Sequence, residues 1–210
     1  MRLLALFFAL IATPLLAQPQ FSLPRVYTVT GVAPNDTLNI RQQPRADSPD
    51  IGDLRPNQNI EVLSLSEDGK WGFISFGEST GWVATRFLRE TPKTQGLSPD
   101  LPYGIPSEMA CGGTEPFWGL HLLTEESVTF TDYSDGVNGD RTYQITGVSA
   151  ATNRGVLHYV FTAPPLTGFL NRATCDDGMS EALFGWELFV VFKRGGRLNM
   201  IQGCCTALQP

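Results

Sequence analysis

The chain has 210 residues and a modest charge, with 15 Lys and Arg against 21 Asp and Glu and a formal net charge of −6. Nucleic acids and anionic lipids bind basic surfaces that displace their counterions, so this acidic balance excludes both as expected partners. The 21 Gly and 15 Pro fall between short apolar runs. That arrangement is typical of an all-β protein with many turns.

The first 17 residues have the pattern of a secretory signal peptide. Arg2 precedes an apolar run over residues 3–16, and Ala17 is the small residue before a predicted cut at Gln18. The run is short for a bilayer span, and Gln18 stands where a lipoprotein has its acylated Cys. Arg2 is the only charged residue of this segment, so the remainder has a formal charge of −7. We expect a periplasmic or secreted protein with no membrane association after cleavage.

Residues 26–90 contain five short apolar runs separated by turn signals. The spacing predicts strands at 26–29, 38–41, 60–63, 71–76 and 81–83. Five strands in a segment of this length are typical of a small barrel. Residues 91–106 are rich in Pro and Gly and poor in large apolar side chains, which predicts a linker.

The landmarks of this first block occur in a specific order. They are Leu38-Asn39-Ile40-Arg41 with Pro44, Ile51-Gly52 with Leu54, Ile60 with Val62-Leu63, Gly69 with Trp71, and Gly81-Trp82-Val83 with Phe87-Leu88. In this order and spacing the block resembles a bacterial SH3 domain, which implies an SH3-like barrel. Asn57 departs from the resemblance, because the family usually has Gly there. Asn tolerates a positive φ better than most residues, so the turn is expected to survive.

The same block has more aromatic side chains than a small core buries, which points to a binding surface. Trp71 follows the Asp68-Gly69 turn and is the ring most expected to be exposed, whereas Trp82 and Phe87 are expected in the core. The candidate ligand-binding residues are Trp71, Tyr27, Phe73 and Arg41. Arg41 lies at a strand end, where nearby carbonyls or a carboxylate are the alternative partners. The resemblance implies peptidoglycan stem peptides as the ligand class, with an envelope protein as the other expected partner.

Residues 107–210 form a second block with its own strand pattern. Strands are predicted at 117–123, 127–131, 142–148, 156–161, 186–192 and 198–203. Arg194-Gly195-Gly196-Arg197 predicts a hairpin turn between the last two. The block therefore predicts an antiparallel β-barrel or sandwich, and it does not repeat the first block.

All four cysteines lie in this second block, at positions 111, 175, 204 and 205. An even number of cysteines in an exported protein predicts disulfides. Neighbouring side chains of an extended strand point to opposite faces, so Cys204 and Cys205 are expected to have different partners, Cys111 or Cys175. A four-thiolate zinc site is the alternative, but no C-x-x-C spacing supports it.

Two cysteine-flanked motifs carry a second resemblance. Cys111-Gly112-Gly113-Thr114-Glu115-Pro116-Phe117-Trp118, Cys175-Asp176-Asp177-Gly178-Met179-Ser180 and the closing Gly203-Cys204 resemble an uncharacterised family of bacterial periplasmic and lipoprotein domains. That resemblance implies a Cys175–Cys204 disulfide, which leaves Cys111 with Cys205. It implies no reaction.

Catalysis is not expected, because no nucleophile or base has an evident partner. His121 and His158 lie in predicted strands without metal-ligand spacing. Glu115 forms an acid–base pair with Asp176 or Asp177 only if the disulfides bring the two motifs together, and Asp-Asp-Gly is also ordinary turn chemistry. We predict a non-catalytic cell-envelope binding protein with no cofactor or metal. The alternatives are a periplasmic enzyme acting on cell-wall fragments and a small-molecule carrier using the second barrel.

Overall fold

The structure, a computed structural model, describes residues 23–91, 109–122, 126–133, 139–153 and 156–207. Its regular structure consists of two antiparallel β-sheets and one short 3-10 turn at Thr85–Phe87. The all-β prediction is confirmed. None of the helical structure in these residues has the length and hydrophobicity that crossing a membrane requires. The predicted signal peptide and residues 92–106 of the predicted linker lie outside the described residues.

The first sheet has seven strands in the order β3-β2-β6-β5-β4-β1-β7. They are β1 (Arg25–Val29), β2 (Leu38–Arg41), β3 (Asp50–Leu54), β4 (Asn59–Leu65), β5 (Trp71–Phe76), β6 (Ser79–Ala84) and β7 (Leu88–Glu90). Alternate residues point inward, and Val29, Ile40, Val62, Ile74 and Val83 form the centre of the core. The pattern did not predict β3 and β7, because in β3 only Leu54 is buried and β7 has three residues.

Asn57 occupies the turn between β3 and β4 with φ of 62°. Its backbone N–H donates to the Val29 carbonyl at 2.9 Å, and the Val29 N–H donates to Gln58 at 2.9 Å. The turn therefore has the positive φ expected of a position where glycine is usual. Asn adopts this conformation more readily than other side chains do.

Replacing Asn57 by Val is expected to lower the free energy of unfolding by about 1–2 kcal/mol, because a β-branched side chain is strained at positive φ. Glycine at the same position is expected to change it by less than about 0.5 kcal/mol. Urea unfolding of both variants measures the difference. Ser64→Val, at an exposed position of β4, is the control, and an equal loss in Asn57→Val and this control would contradict the explanation.

The second sheet has nine strands in the order β11-β10-β9-β8-β16-β15-β14-β13-β12. They are β8 (Met109–Thr114), β9 (Phe117–Leu122), β10 (Ser127–Asp132), β11 (Asp140–Gln144), β12 (Gly147–Asn153), β13 (Val156–Ala163), β14 (Leu166–Cys175), β15 (Phe184–Arg194) and β16 (Arg197–Thr206). One hydrophobic core joins residues from both ends of this order, including Leu122, Val128, Tyr159 and Leu188. The sheet therefore curls around side chains from its own inner face.

The β15–β16 hairpin was predicted correctly, and Gly195 and Gly196 both have positive φ in its turn. The predicted strand at 142–148 is instead two strands with a break at Ile145 and Thr146. The N–H groups of these two residues donate to Glu126 and Thr162, each at 2.7 Å. These two hydrogen bonds lie where the backbone leaves β11 and enters β12.

The disulfides join Cys111 to Cys205 and Cys175 to Cys204, with Cα–Cα distances of 4.0 and 5.5 Å. This is the predicted pairing. Cys205 is directly opposite Cys111 across β16 and β8, whereas Cys204 is opposite Gly112. The two neighbouring cysteines thus use opposite faces of β16, as the alternation of an extended strand requires.

The buried Trp118 side chain requires glycine at positions 113 and 203 of the cysteine-flanked motifs. Its indole lies against Gly113 and Gly203, and a Cβ on either glycine would collide with the ring. A Cβ on Gly203 would also collide with the Gly112 carbonyl. Gly113, Trp118, Gly203 and the adjacent disulfide are therefore a packing unit, in which bare backbone makes room for a buried indole.

Candidate functional site

The outer face of the first sheet has a strip of aromatic side chains. Trp71 and Phe73 alternate with inward residues along β5, and Trp82 lies opposite Phe73 on β6. The rings of Phe73 and Trp82 are 5.0 Å apart and tilted by 46°. All three side chains are half-buried, so part of each ring surface contacts solvent. Such a strip presents flat apolar surface to a ligand.

Arg41 extends this strip across a third strand, because it lies opposite Trp82 on β2. Its Nη1 donates to the Ser48 carbonyl at 3.1 Å and lies 3.9 Å from an Asp50 carboxylate oxygen. Ser48 is itself buried, and its hydroxyl accepts from the Gln43 N–H at 2.9 Å. The Ser48 carbonyl and the Asp50 carboxylate therefore hold the guanidinium of the residue that lies opposite Trp82.

Tyr27 lies elsewhere. It is 7% exposed and belongs to the core of the first sheet, so it is not part of the aromatic face. Burial raises the pKa of its hydroxyl, and the nearby Glu90 carboxylate adds to the effect. Trp82, expected in the core, lies on the outer face instead. The face that gathers three of the four candidate residues therefore has Trp82 as a further member.

The sequence of these strands matches a known family. Residues 36–95 match the family model of the bacterial SH3 domain. The chain carries a bacterial SH3 domain. The match leaves out the second sheet, and the resemblance of that sheet to an uncharacterised family stays a prediction. No curated protein and no solved structure matches the chain.

One end of the aromatic strip is covered by the segment that connects β14 to β15 of the second sheet. The Ser75 hydroxyl donates to the Leu183 carbonyl at 2.6 Å and accepts from the Leu183 N–H at 2.9 Å. The Glu181 N–H donates to the Glu78 carbonyl at 3.1 Å. Ser75 follows Trp71 and Phe73 on the same face of β5, so the aromatic strip ends at this contact.

A second polar contact between the sheets centres on Glu61 of β4, which is 6% exposed. One carboxylate oxygen accepts from the Trp186 indole N–H at 3.0 Å and from the Ala207 N–H at 3.2 Å. The other accepts from the Thr206 hydroxyl at 3.0 Å. The Gly185 N–H is a further donor. A carboxylate accepts about four hydrogen bonds, so the second sheet satisfies this buried group fully.

Burial has the largest effect on Glu61 and raises the pKa of its carboxyl, while the four donors act in the opposite direction. Arg172 lies near enough to interact electrostatically with Glu61, and its guanidinium stacks over the Trp186 ring at 4.7 Å. A Cβ at Gly185 would collide with Pro24 and approach the Glu61 carboxyl. The SH3 domain and the second sheet are thus fitted closely at this point.

The remaining candidates from the sequence have local partners. Asp176 and Asp177 accept from the backbone N–H groups of Gly178 and Met179 at 2.8 and 3.0 Å, which is turn chemistry. His158 Nδ1 lies 2.8 Å from the Asn171 side-chain oxygen. Glu115 is exposed in the β8–β9 turn.

His121 is half-buried opposite Thr129. In the part of the chain that the structure describes, no three His, Cys, Asp or Glu residues are grouped to hold a metal ion.

Proposed function

We propose that the protein is a non-catalytic binding protein of the bacterial cell envelope, and that its SH3 face binds peptidoglycan stem peptides. The observation that carries the proposal is the row of Arg41, Trp82 and Phe73 across three neighbouring strands. The bacterial SH3 family is often involved in cell-wall binding, which supports a binding module in general terms. The two disulfides fit an exported protein.

The chemistry of the face suits such a peptide. Stem peptides combine carboxylates with short aliphatic side chains and are linked to sugars. Arg41 offers a guanidinium whose planar donors match a carboxylate. The Phe73 and Trp82 rings offer apolar surface for side chains or sugar rings. Because the Ser75 contact closes one end of the strip, a peptide would pass from Trp71 to Phe73 on β5 and then cross Trp82 on β6 to reach Arg41 on β2.

Sedimentation with purified sacculi tests the proposal. The chain from Gln18 onward, which keeps every described residue, is expected to sediment with sacculi. Trp82→Ala and Trp71→Ala are expected to weaken binding about tenfold each, as loss of a stacking ring in an interface does. Arg41→Gln is expected to weaken binding and to reduce its dependence on salt.

Phe117→Ala is the matched control, because Phe117 is an exposed aromatic residue of the second sheet. Urea unfolding of each variant separates loss of binding from loss of fold. Failure of the unmodified chain to sediment, or equal binding by Trp82→Ala and Phe117→Ala, would contradict the proposal. Release of soluble fragments from the sacculi would show that the protein is an enzyme instead.

A further inference from the structure

The strand β12 lies at one edge of the second sheet, and in the part of the chain that the structure describes it has a neighbouring strand on one side only. On that side it pairs with β13 over its whole length, from Gly147 opposite Thr162 to Asn153 opposite Val156, without a register shift. In a regular antiparallel strand, half of the backbone N–H and C=O groups point away from the paired side. β12 therefore presents a row of backbone donors and acceptors to which another strand can pair.

The other three sheet edges of the described chain have features that oppose such pairing. β3 contains Asp50 and Asp53, and its register with β2 shifts next to Arg41. β7 has only three residues, and β11 contains Asp140 and Arg141. Charged side chains, short strands and bulges are the usual means by which proteins prevent sheet edges from joining. β12, with the sequence Gly-Val-Ser-Ala-Ala-Thr-Asn, has no charged residue, no Pro and no bulge against β13.

A second copy of β12 fits this edge. Two copies related by a twofold axis pair antiparallel, and an axis at Ala150 places this residue opposite its equivalent and Ser149 opposite the partner's Ala151. Gly147, Ser149 and Ala151 are exposed, whereas Val148 and Ala150 pack partly against the core. The pairing therefore opposes no charges, and the small exposed side chains leave room for the adjacent strand. A strand of another protein would need a matching sequence, whereas twofold pairing needs only β12 itself.

We propose that the protein forms a twofold dimer in which β12 pairs antiparallel with β12 of a second copy, so that the two second sheets become one continuous sheet. The paired edge is about 23 Å long, since a strand rises about 3.3 Å per residue. A contact through one strand is smaller than the interface of a permanent dimer, so the dimer forms reversibly as the concentration rises. β12 takes no part in the described contacts between the two sheets or in the SH3 face, so this inference is independent of the proposed ligand.

Sedimentation equilibrium over a range of protein concentrations tests the dimer. The chain from Gln18 onward is used, because it lacks the apolar N-terminal segment that would associate by itself. It is expected to change reversibly from monomer to dimer as the concentration rises. Ser149→Lys combined with Ala151→Lys is expected to weaken association about tenfold or more, because twofold pairing then opposes like charges twice.

Reversing one of these charges tests the register. Ser149→Lys combined with Ala151→Glu opposes unlike charges twice in the same register, and this variant is expected to associate at least as tightly as the unmodified chain. Thr142→Lys combined with Gln144→Lys is the matched control, because it adds two lysines at the same spacing to exposed positions of the edge strand β11. The control is expected to associate like the unmodified chain.

Three results would overturn the proposal. The first is an unmodified chain that remains a monomer at every concentration, and the second is a double-lysine variant of β12 that associates as tightly as its control on β11. The third is a charge-reversed variant that associates as weakly as the double-lysine variant, because the strands then do not pair in the twofold register. All substituted positions are exposed, so the variants are expected to keep the fold, which urea unfolding of each variant measures.

Discussion

Glu61→Ala is expected to lower the free energy of unfolding by about 4 kcal/mol, because it leaves buried donors without their acceptor. Those donors are the Trp186 indole, the Thr206 hydroxyl and the backbone N–H groups of Ala207 and Gly185. Gly185, Trp186 and Thr206 lie in strands of the second sheet and Ala207 directly follows β16, while Glu61 belongs to the SH3 domain. The variant is therefore expected to weaken the contact between the two sheets as well as the overall fold.

Urea unfolding, followed by Trp fluorescence, measures this loss. Glu67→Ala, which removes an exposed carboxylate from the same segment of the SH3 domain, is the control and is expected to change stability by less than about 0.5 kcal/mol. A double-mutant cycle with Trp186→Phe isolates the one hydrogen bond to the indole. A loss in Glu61→Ala no larger than in the control would show that the carboxylate does not hold the sheets together.

The contribution of Glu61 to the free energy of unfolding is expected to change with pH in one direction. Burial raises the pKa of this carboxyl in the folded protein, so its contribution to stability is complete below the unfolded value of about 4.5. That contribution is lost as the pH rises through the folded pKa. The stability of the unmodified chain relative to Glu61→Gln is therefore expected to fall as the pH rises from about 4 toward neutral. A constant or rising difference would contradict the direction of the shift.

Removing the Cys111–Cys205 disulfide is expected to lower the free energy of unfolding by about 4.3 kcal/mol. The sequence separation is 94 residues, but the inner Cys175–Cys204 disulfide bypasses 29 of them. The effective loop is then about 65 residues, and its closure entropy gives this estimate. Cys175→Ala with Cys204→Ala opens the shorter loop and is expected to cost about 3.6 kcal/mol.

Thermal unfolding of the two double variants under non-reducing conditions, where the remaining disulfide stays formed, measures both losses. The chain with all four cysteines intact is the reference, and the reduced form of the same chain shows the combined effect. Both double variants are expected to melt far below the reference. A loss under about 1 kcal/mol for Cys111→Ala with Cys205→Ala would mean that the sheet pairing of β8 and β16 suffices without the bond.

Local patterns predicted much of the fold. Period-two alternation identified the central strands, and the Gly195-Gly196 pair identified the last hairpin, because both signals depend on neighbouring residues. β14 was missed, because Thr, Gly, Asn and Arg interrupt its apolar residues and Phe169 points outward. Only the pairing of β14 with β13 and β15 shows that Gly168, where a Cβ would collide with the Phe161 ring, is part of a strand.

The binding face was predicted in part. Trp71, Phe73 and Arg41 do share a face, but whether an aromatic side chain points inward depends on strand register. Tyr27, predicted to bind the ligand, is therefore in the core, and Trp82, predicted in the core, lies on the outer face. Glu61 was missed altogether. A single acid within Ile60-Glu61-Val62-Leu63 is what a solvent-facing strand position normally shows, and only the second sheet makes it buried.

The opposite orientation of Cys204 and Cys205 has a consequence for oxidation during biogenesis. A chain that joined Cys111 to Cys204 would need β16 shifted by one residue against β8, and a one-residue shift turns every side chain of a strand to the other face. Trp118 would then lose its place against Gly203, and inward residues of β16 would meet water. Native strand pairing is therefore compatible with Cys111–Cys205 and not with Cys111–Cys204. Formation of the sheet thus favours the native disulfide pairing.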